Sequence, residues 1–154
     1  MPASSQAPLA IGVDIGGTKC AAGLVSLSDG RVLARRLLRT EPQRGGAAVL
    51  ADVIDMVHDL QQEPSGRAAS AIGLAVPELV SCEGRIVSDA TIRWLDMNVV
   101  DQLGSASGLP VSLEADVRAA AYGEAHFGAG REYGSFLYVT VGTGISACLV
   151  LDKC

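Results

Sequence analysis

Apolar residues dominate positions 9–14, 20–27 and 31–40, and each run is bounded by glycine or polar turns. Short runs of this kind read as strands. Ser28-Asp29-Gly30 closes a hairpin between the second and third, and Gly45-Gly46 then breaks the chain. Val49, Leu50, Val53, Ile54, Val57 and Leu60 follow the i, i+3, i+4, i+7 rule, which predicts an amphipathic helix over residues 47–62. Pro64-Ser65-Gly66 ends that helix, residues 69–76 return as a buried strand, and Pro77 stops the strand. Residues 78–97 are expected to be irregular, with a short hairpin around Glu83-Gly84-Arg85. Residues 98–106 read as a short helix capped by Gly108, and 110–114 as a further strand. An alanine-rich helix is expected over 116–127, ended by Gly128-Ala129-Gly130, and residues 135–141 and 145–151 form a last hairpin.

The resulting order, βββαβαβα followed by ββ, predicts an α/β domain: a mixed sheet with helices packed on it. It resembles the ribonuclease H-like arrangement shared by actin-like ATPases and sugar kinases, in which ligands gather at strand ends. The 154 residues suffice for one domain with a real core, and 49 % apolar against 4 % aromatic residues makes that core Val, Leu, Ile and Ala. A net charge of −5 argues against a nucleic-acid partner. The basic run of residues 31–39 is interrupted by Val32, Leu33, Leu37 and Leu38, so it reads as the wet face of a strand.

No apolar stretch approaches the ~20 uncharged residues that span a bilayer, so no membrane partner is expected. Residues 1–8 lack the features of a signal peptide, and a cytoplasmic location follows as the expectation. Cys20, Cys82, Cys148 and Cys154 form no C-x-x-C pair, and Cys20 and Cys148 are expected as buried free thiols. His58 and His126 match no metal spacing and read as helix-surface residues.

Candidate chemistry concentrates in Val13-Asp14-Ile15-Gly16-Gly17-Thr18-Lys19, an apolar strand ending in an acid, two glycines and a hydroxyl. Glycines admit positive φ and close backbone approach, so neighbouring N–H groups can converge on an anion. Asp14 beside them could hold a Mg²⁺ and its waters. The segment is neither a P-loop nor a dinucleotide fingerprint, because Thr18-Lys19 leads into a strand and Gly12, Gly16 and Gly17 have the wrong spacing. A plain glycine-rich hairpin turn is the competing reading. A second such turn, Val141-Gly142-Thr143-Gly144-Ile145, suggests phosphates gripped from two sides.

Several separate motifs, in order, resemble the ROK family of sugar kinases, repressors and uncharacterised reading frames. They are Gly12-Val13-Asp14-Ile15-Gly16-Gly17-Thr18-Lys19, Gly73-Leu74-Ala75-Val76-Pro77, Glu114-Ala115-Asp116 with Ala119-Ala120-Ala121-Tyr122-Gly123-Glu124-Ala125, and Val141-Gly142-Thr143-Gly144-Ile145. Family kinases move the γ-phosphoryl of ATP to a hexose hydroxyl, usually with Mg²⁺. The resemblance implies that Asp14 organises the metal and that Gly16, Gly17, Thr18 and Lys19 hold phosphates. It implies that Gly142, Thr143 and Gly144 grip phosphates from a second lobe, that Glu114 lies on the sugar side, and that Asp116 is the catalytic base. Without the resemblance, an N-cap is the favoured reading of Asp116, and the two roles are compatible. Trp94 could line a sugar face or simply pack in the core.

The departures fall mostly on the sugar side. Ala115 stands where family kinases carry a sugar-binding Asn, Pro77-Glu78 replaces the usual Pro-Gly, and Thr91-Ile92-Arg93-Trp94 only partly matches the Asn-Leu-x-x-Trp sugar loop. Ser146 replaces a common glycine of the second turn. Family members run about twice as long, and their zinc cluster lies in the second lobe, outside these residues. The expected organisation is a flexible 1–8, an N-terminal lobe over 9–130, and the start of a largely missing second lobe over 131–154. A fragment, a truncated product or one half of an assembly is therefore expected, completed by a second lobe or a homo-oligomer. The function expected is ATP-dependent phosphorylation of a hexose or amino-sugar hydroxyl. The alternatives are a non-catalytic sugar- or nucleotide-binding module and a degenerate remnant.

Overall fold

The structure, a computed structural model, describes residues 7–142 and 144–152. Leu9–Ile15 (β1), Lys19–Ser26 (β2) and Val32–Arg39 (β3) form an antiparallel meander, joined by the two turns expected from the glycines. The helix Gly46–Gln62 (α1) follows a short 3-10 turn, and the chain re-enters the sheet as Ala69–Val76 (β4). Val99–Ser107 (α2), Val111–Ala115 (β5) and Asp116–His126 (α3) complete the alternating part. The last elements are Phe136–Val141 (β6) and Ile145–Val150 (β7).

The main sheet has the order β3-β2-β1-β4-β5, with β1, β4 and β5 parallel and β2 antiparallel to β1 and β3. This is the mixed sheet anticipated from the element order, and β6-β7 forms a separate two-stranded ribbon. Each strand lies within one residue of its expected bounds. The expected hairpin at Gly84 is reduced to a single bridge between Val80 and Ile86.

Alternation along β1 decides how the sheet is covered. Leu9, Ile11, Val13 and Ile15 are buried against α1, which contributes Val49, Leu50, Val53, Met56, Val57 and Leu60. Each side chain of that size contributes about 1.5–3 kcal/mol when fully buried. α2 extends the same layer with Val99 and Leu103, capped by Asn98 at its start and left-handed Gly108 at its end. The opposite face carries Gly12, Ala21, Gly23, Gly73 and Ala75 and forms an open groove of about 820 Å³, bordered by Ala119 and Tyr122 of α3. Asp14 belongs to this second face.

The β6-β7 ribbon leans on α3 and leaves Leu137, Val141, Ile145 and Leu149 exposed, as the apolar pattern of an unpartnered hairpin predicts. Cys20 is buried, whereas Cys148 is only half-buried and departs from expectation because it lies on this thin ribbon; Cys154 lies outside the described residues. His58 and His126 are exposed helix residues. No helix among the described residues is long and apolar enough to cross a membrane.

Candidate active site

The three parallel strands bring their C-terminal ends to one edge of the sheet, where open α/β sheets bind ligands. β1 delivers Asp14 and the Gly16-Gly17-Thr18 turn, β4 delivers Ala75 and Pro77, and β5 delivers Glu114 and the start of α3. In register, Asp14 lies beside Ala75, and Ala75 beside Glu114.

A cleft of about 370 Å³ opens at this edge, lined by Asp14, Ala75, Asp116, Val117, Tyr138 and Thr140 among others. The structure thus brings together the two acids that the sequence singles out, 102 positions apart in the chain. The Asp14 carboxyl is raised above its ordinary value of 3.8, first by partial burial and then by the charge of Asp116. Two carboxylates facing one cleft, one of them penalised for its charge, favour a cation between them. Among the described residues no group of three His, Cys, Asp or Glu could hold a metal ion alone. The pair fits Mg²⁺ in its usual manner, in which one or two carboxylates act with waters and substrate phosphates.

Asp116 is exposed and is the first helical residue of α3, not its N-cap. The N-cap is Ala115, which has no side-chain acceptor, so the capping expectation is corrected. Asp116 Oδ1 accepts the Val117 N–H at 2.6 Å, and its charge lies at the favourable positive end of the helix dipole.

The glycine turn is built differently from the expectation of positive φ. Neither Gly16 nor Gly17 is left-handed. Close approach disfavours a side chain instead: a Cβ would lie a tight 3.2 Å from the Lys19 carbonyl at Gly16 and 3.1 Å from the Thr91 methyl at Gly17. Gly16 N–H donates to the Lys19 carbonyl, whereas the amides of Gly17 and Thr18 have no acceptor among the described residues. Those two amides are the donors left for an anion. Thr40, fully buried, braces the turn: its N–H donates to Thr18 O at 3.1 Å and its hydroxyl to Gly16 O at 2.6 Å.

Other expected residues lie elsewhere. Glu114 faces the neighbouring groove, paired with Arg118 at 2.5 Å and accepting the Ala115 N–H. Trp94 is 1 % exposed with its indole N–H unpartnered, which places it in the core under the 88–97 segment and not on a cleft wall. Lys19 is exposed at the start of β2 and does not line the cleft. Gly142 and Gly144 close the ribbon turn, with Gly142 N–H donating to Gly144 O, and lie beyond the cleft-lining Thr140. Thr143 lies outside the described residues. Tyr138 and Thr140 were not singled out by the sequence; alternation along β6, with Leu137 and Val139 on the other face, is the signal that finds them.

A model of the ROK family matches residues 10–153. The glucokinase of Thermotoga maritima is 33 % identical over 142 residues, covering 91 % of this chain and 44 % of that protein. The xylose repressor of Bacillus subtilis is 28 % identical over 158 residues, covering 97 % of this chain and 39 % of that one. A ROK family glucokinase from Streptomyces griseus, in complex with glucose and AMPPNP, matches with a TM-score of 0.85 at 31 % identity, over 95 % of this chain and 45 % of that chain. The chain therefore spans less than half the length of these relatives. Its fold is the ribonuclease H-like fold of the sugar kinases. With matched motifs from the first strand to the final ribbon, the chain belongs to the ROK family.

Proposed function

We propose that this chain is the N-terminal lobe of an ATP-dependent kinase that phosphorylates a hydroxyl of a hexose or amino sugar. The convergence of Asp14 and Asp116 on one cleft beside the Gly16-Gly17-Thr18 turn carries this reading. Phosphoryl transfer needs positioned phosphates, neutralised charge and an acceptor for the proton of the attacking hydroxyl. The free amides of Gly17 and Thr18 orient phosphate oxygens. Asp14 would hold Mg²⁺, which when bound offsets the phosphate charge. Asp116 accepts the hydroxyl proton; Oδ1 is held by Val117 N–H, so Oδ2 is the oxygen left to take it. Gly142, Thr143 and Gly144 are proposed to meet the phosphates from the second lobe.

Asp116→Ala, in the gene product carrying both lobes, is expected to lower hexose-dependent ADP release by about 10²–10⁴-fold with ATP binding retained. Wild-type turnover in that variant overturns the assignment. Ala115 favours a second reading, a non-catalytic sensor, because its methyl group cannot donate the sugar hydrogen bond of the usual Asn. The repressor relatives belong to the same family. Calorimetry separates the two: hexose or ATP binding without turnover supports the sensor.

A further inference from the structure

Glu78 follows the end of β4 and is 2 % exposed, yet no Lys or Arg among the described residues pairs with it. A buried carboxylate is costly unless its charge is met by hydrogen bonds. Here Oε2 accepts from the Ser88 hydroxyl at 2.9 Å and from Ala90 N–H at 3.0 Å. Oε1 accepts from Thr91 N–H at 2.9 Å and Ile92 N–H at 2.7 Å. Three successive amides thus converge as they would on a bound anion, but the chain supplies the anion itself. Ser88 Oγ also accepts Leu79 N–H at 2.9 Å, which closes the arrangement.

The residues so held are part of the connection leaving β4 at the ligand edge of the sheet. Thr91 presses its methyl on Gly17 of the candidate phosphate turn, while Arg93 and Trp94 pack on Gly46 at the start of α1. The candidate phosphate turn has its own brace in Thr40, so the Glu78 arrangement fixes the segment that borders the turn and not the turn itself. That segment leaves β4, which lies between the strands that lead to Asp14 and Asp116, and it borders the candidate phosphate turn at Thr91.

We propose that Glu78 is a positioning residue that pre-shapes the 88–92 segment for the acceptor sugar, an inference that rests on the kinase reading. Glu78→Gln keeps the shape but turns an NH₂ group toward amide donors. In the protein carrying both lobes, this variant is expected to raise the acceptor KM about tenfold, with the ATP KM and kcat within twofold. Ser88→Ala removes one of the four donors and is expected to shift the acceptor KM less. In the present chain, amide exchange at Ala90, Thr91 and Ile92 is expected to quicken at least tenfold in Glu78→Gln, and the emission of Trp94 to move to the red.

Unchanged exchange at those amides overturns the proposal. So does an unchanged acceptor KM in an active enzyme, or an equal loss in both KM values and kcat. A wild-type protein that phosphorylates no hexose and binds none defeats the kinase reading, and the acceptor role with it. Exchange then decides only whether Glu78 holds the segment.

Discussion

Thr40→Val tests whether the candidate phosphate turn is held from outside its own sequence. The residue is fully buried, and its hydroxyl donates to the Gly16 carbonyl at 2.6 Å. Valine keeps the shape and leaves the backbone bond from Thr40 N–H to Thr18 O in place, but the Gly16 carbonyl loses its donor. Stranding a buried acceptor costs about 1–3 kcal/mol, and Gly16 is only half-buried, so about 1–2 kcal/mol is expected. Thr40→Ser is the control: it retains the hydroxyl and loses one methyl, about 0.8 kcal/mol. Urea unfolding of the present chain measures the two costs, and amide exchange at Gly16 and Thr40 reports the turn itself. Valine should accelerate exchange at both amides about tenfold, and serine should leave it near wild type. A valine variant with wild-type stability and wild-type exchange at Gly16 would refute the bracing role.

Two further outcomes follow from packing and charge. The Asp14 pKa is raised from 3.8 by burial and by Asp116, so the fold disfavours its ionised form. Its contribution to stability is present below the ordinary carboxylate value and is lost as pH rises through the raised one. Asp14→Asn is therefore expected to raise the urea midpoint at pH 7 and to show no gain at pH 3; a gain independent of pH contradicts the linkage. Gly123→Ala within α3 meets nothing within 4 Å and should stabilise by about 0.5–1 kcal/mol. Gly46→Ala puts a methyl 2.4 Å from the Arg93 carbonyl and 2.9 Å from Trp94 Cβ, and should destabilise by about 1–3 kcal/mol. Thermal melts that move in the same direction for both would refute the packing argument.

Elements with a strong local period were legible. α1 carries its stripe in the 3.6-residue rhythm, and β4 falls at residues 69–76 as expected. Asp14 and the glycine turn could be singled out because they sit where an apolar run ends, whereas Asp116 was singled out only by the family resemblance. What was not legible depends on partners remote in sequence. Thr40 lies 24 residues from the carbonyl it braces, and nothing in Leu38-Arg39-Thr40 announces it. The burial of Trp94 follows from the packing of its segment on α1, which no period encodes. At positions 16 and 17 the close approach comes from Lys19 O and Thr91 of the chain itself, where local reasoning offered positive φ and close approach to a ligand.

Glu78 shows how a departure from a family pattern can be read physically. Against the usual Pro-Gly, a carboxylate after Pro77 looks like damage to the sugar side. The structure finds it satisfied four times over by residues 88–92, so the acid and the segment form one unit. Replacing Glu78 with glycine would leave one hydroxyl and three amides without their acceptor, at roughly 1–3 kcal/mol for each buried donor stranded. The acid at 78 and residues 88–92 are thus one hydrogen-bonded unit, and the acid cannot be replaced without disturbing the segment that borders Gly17.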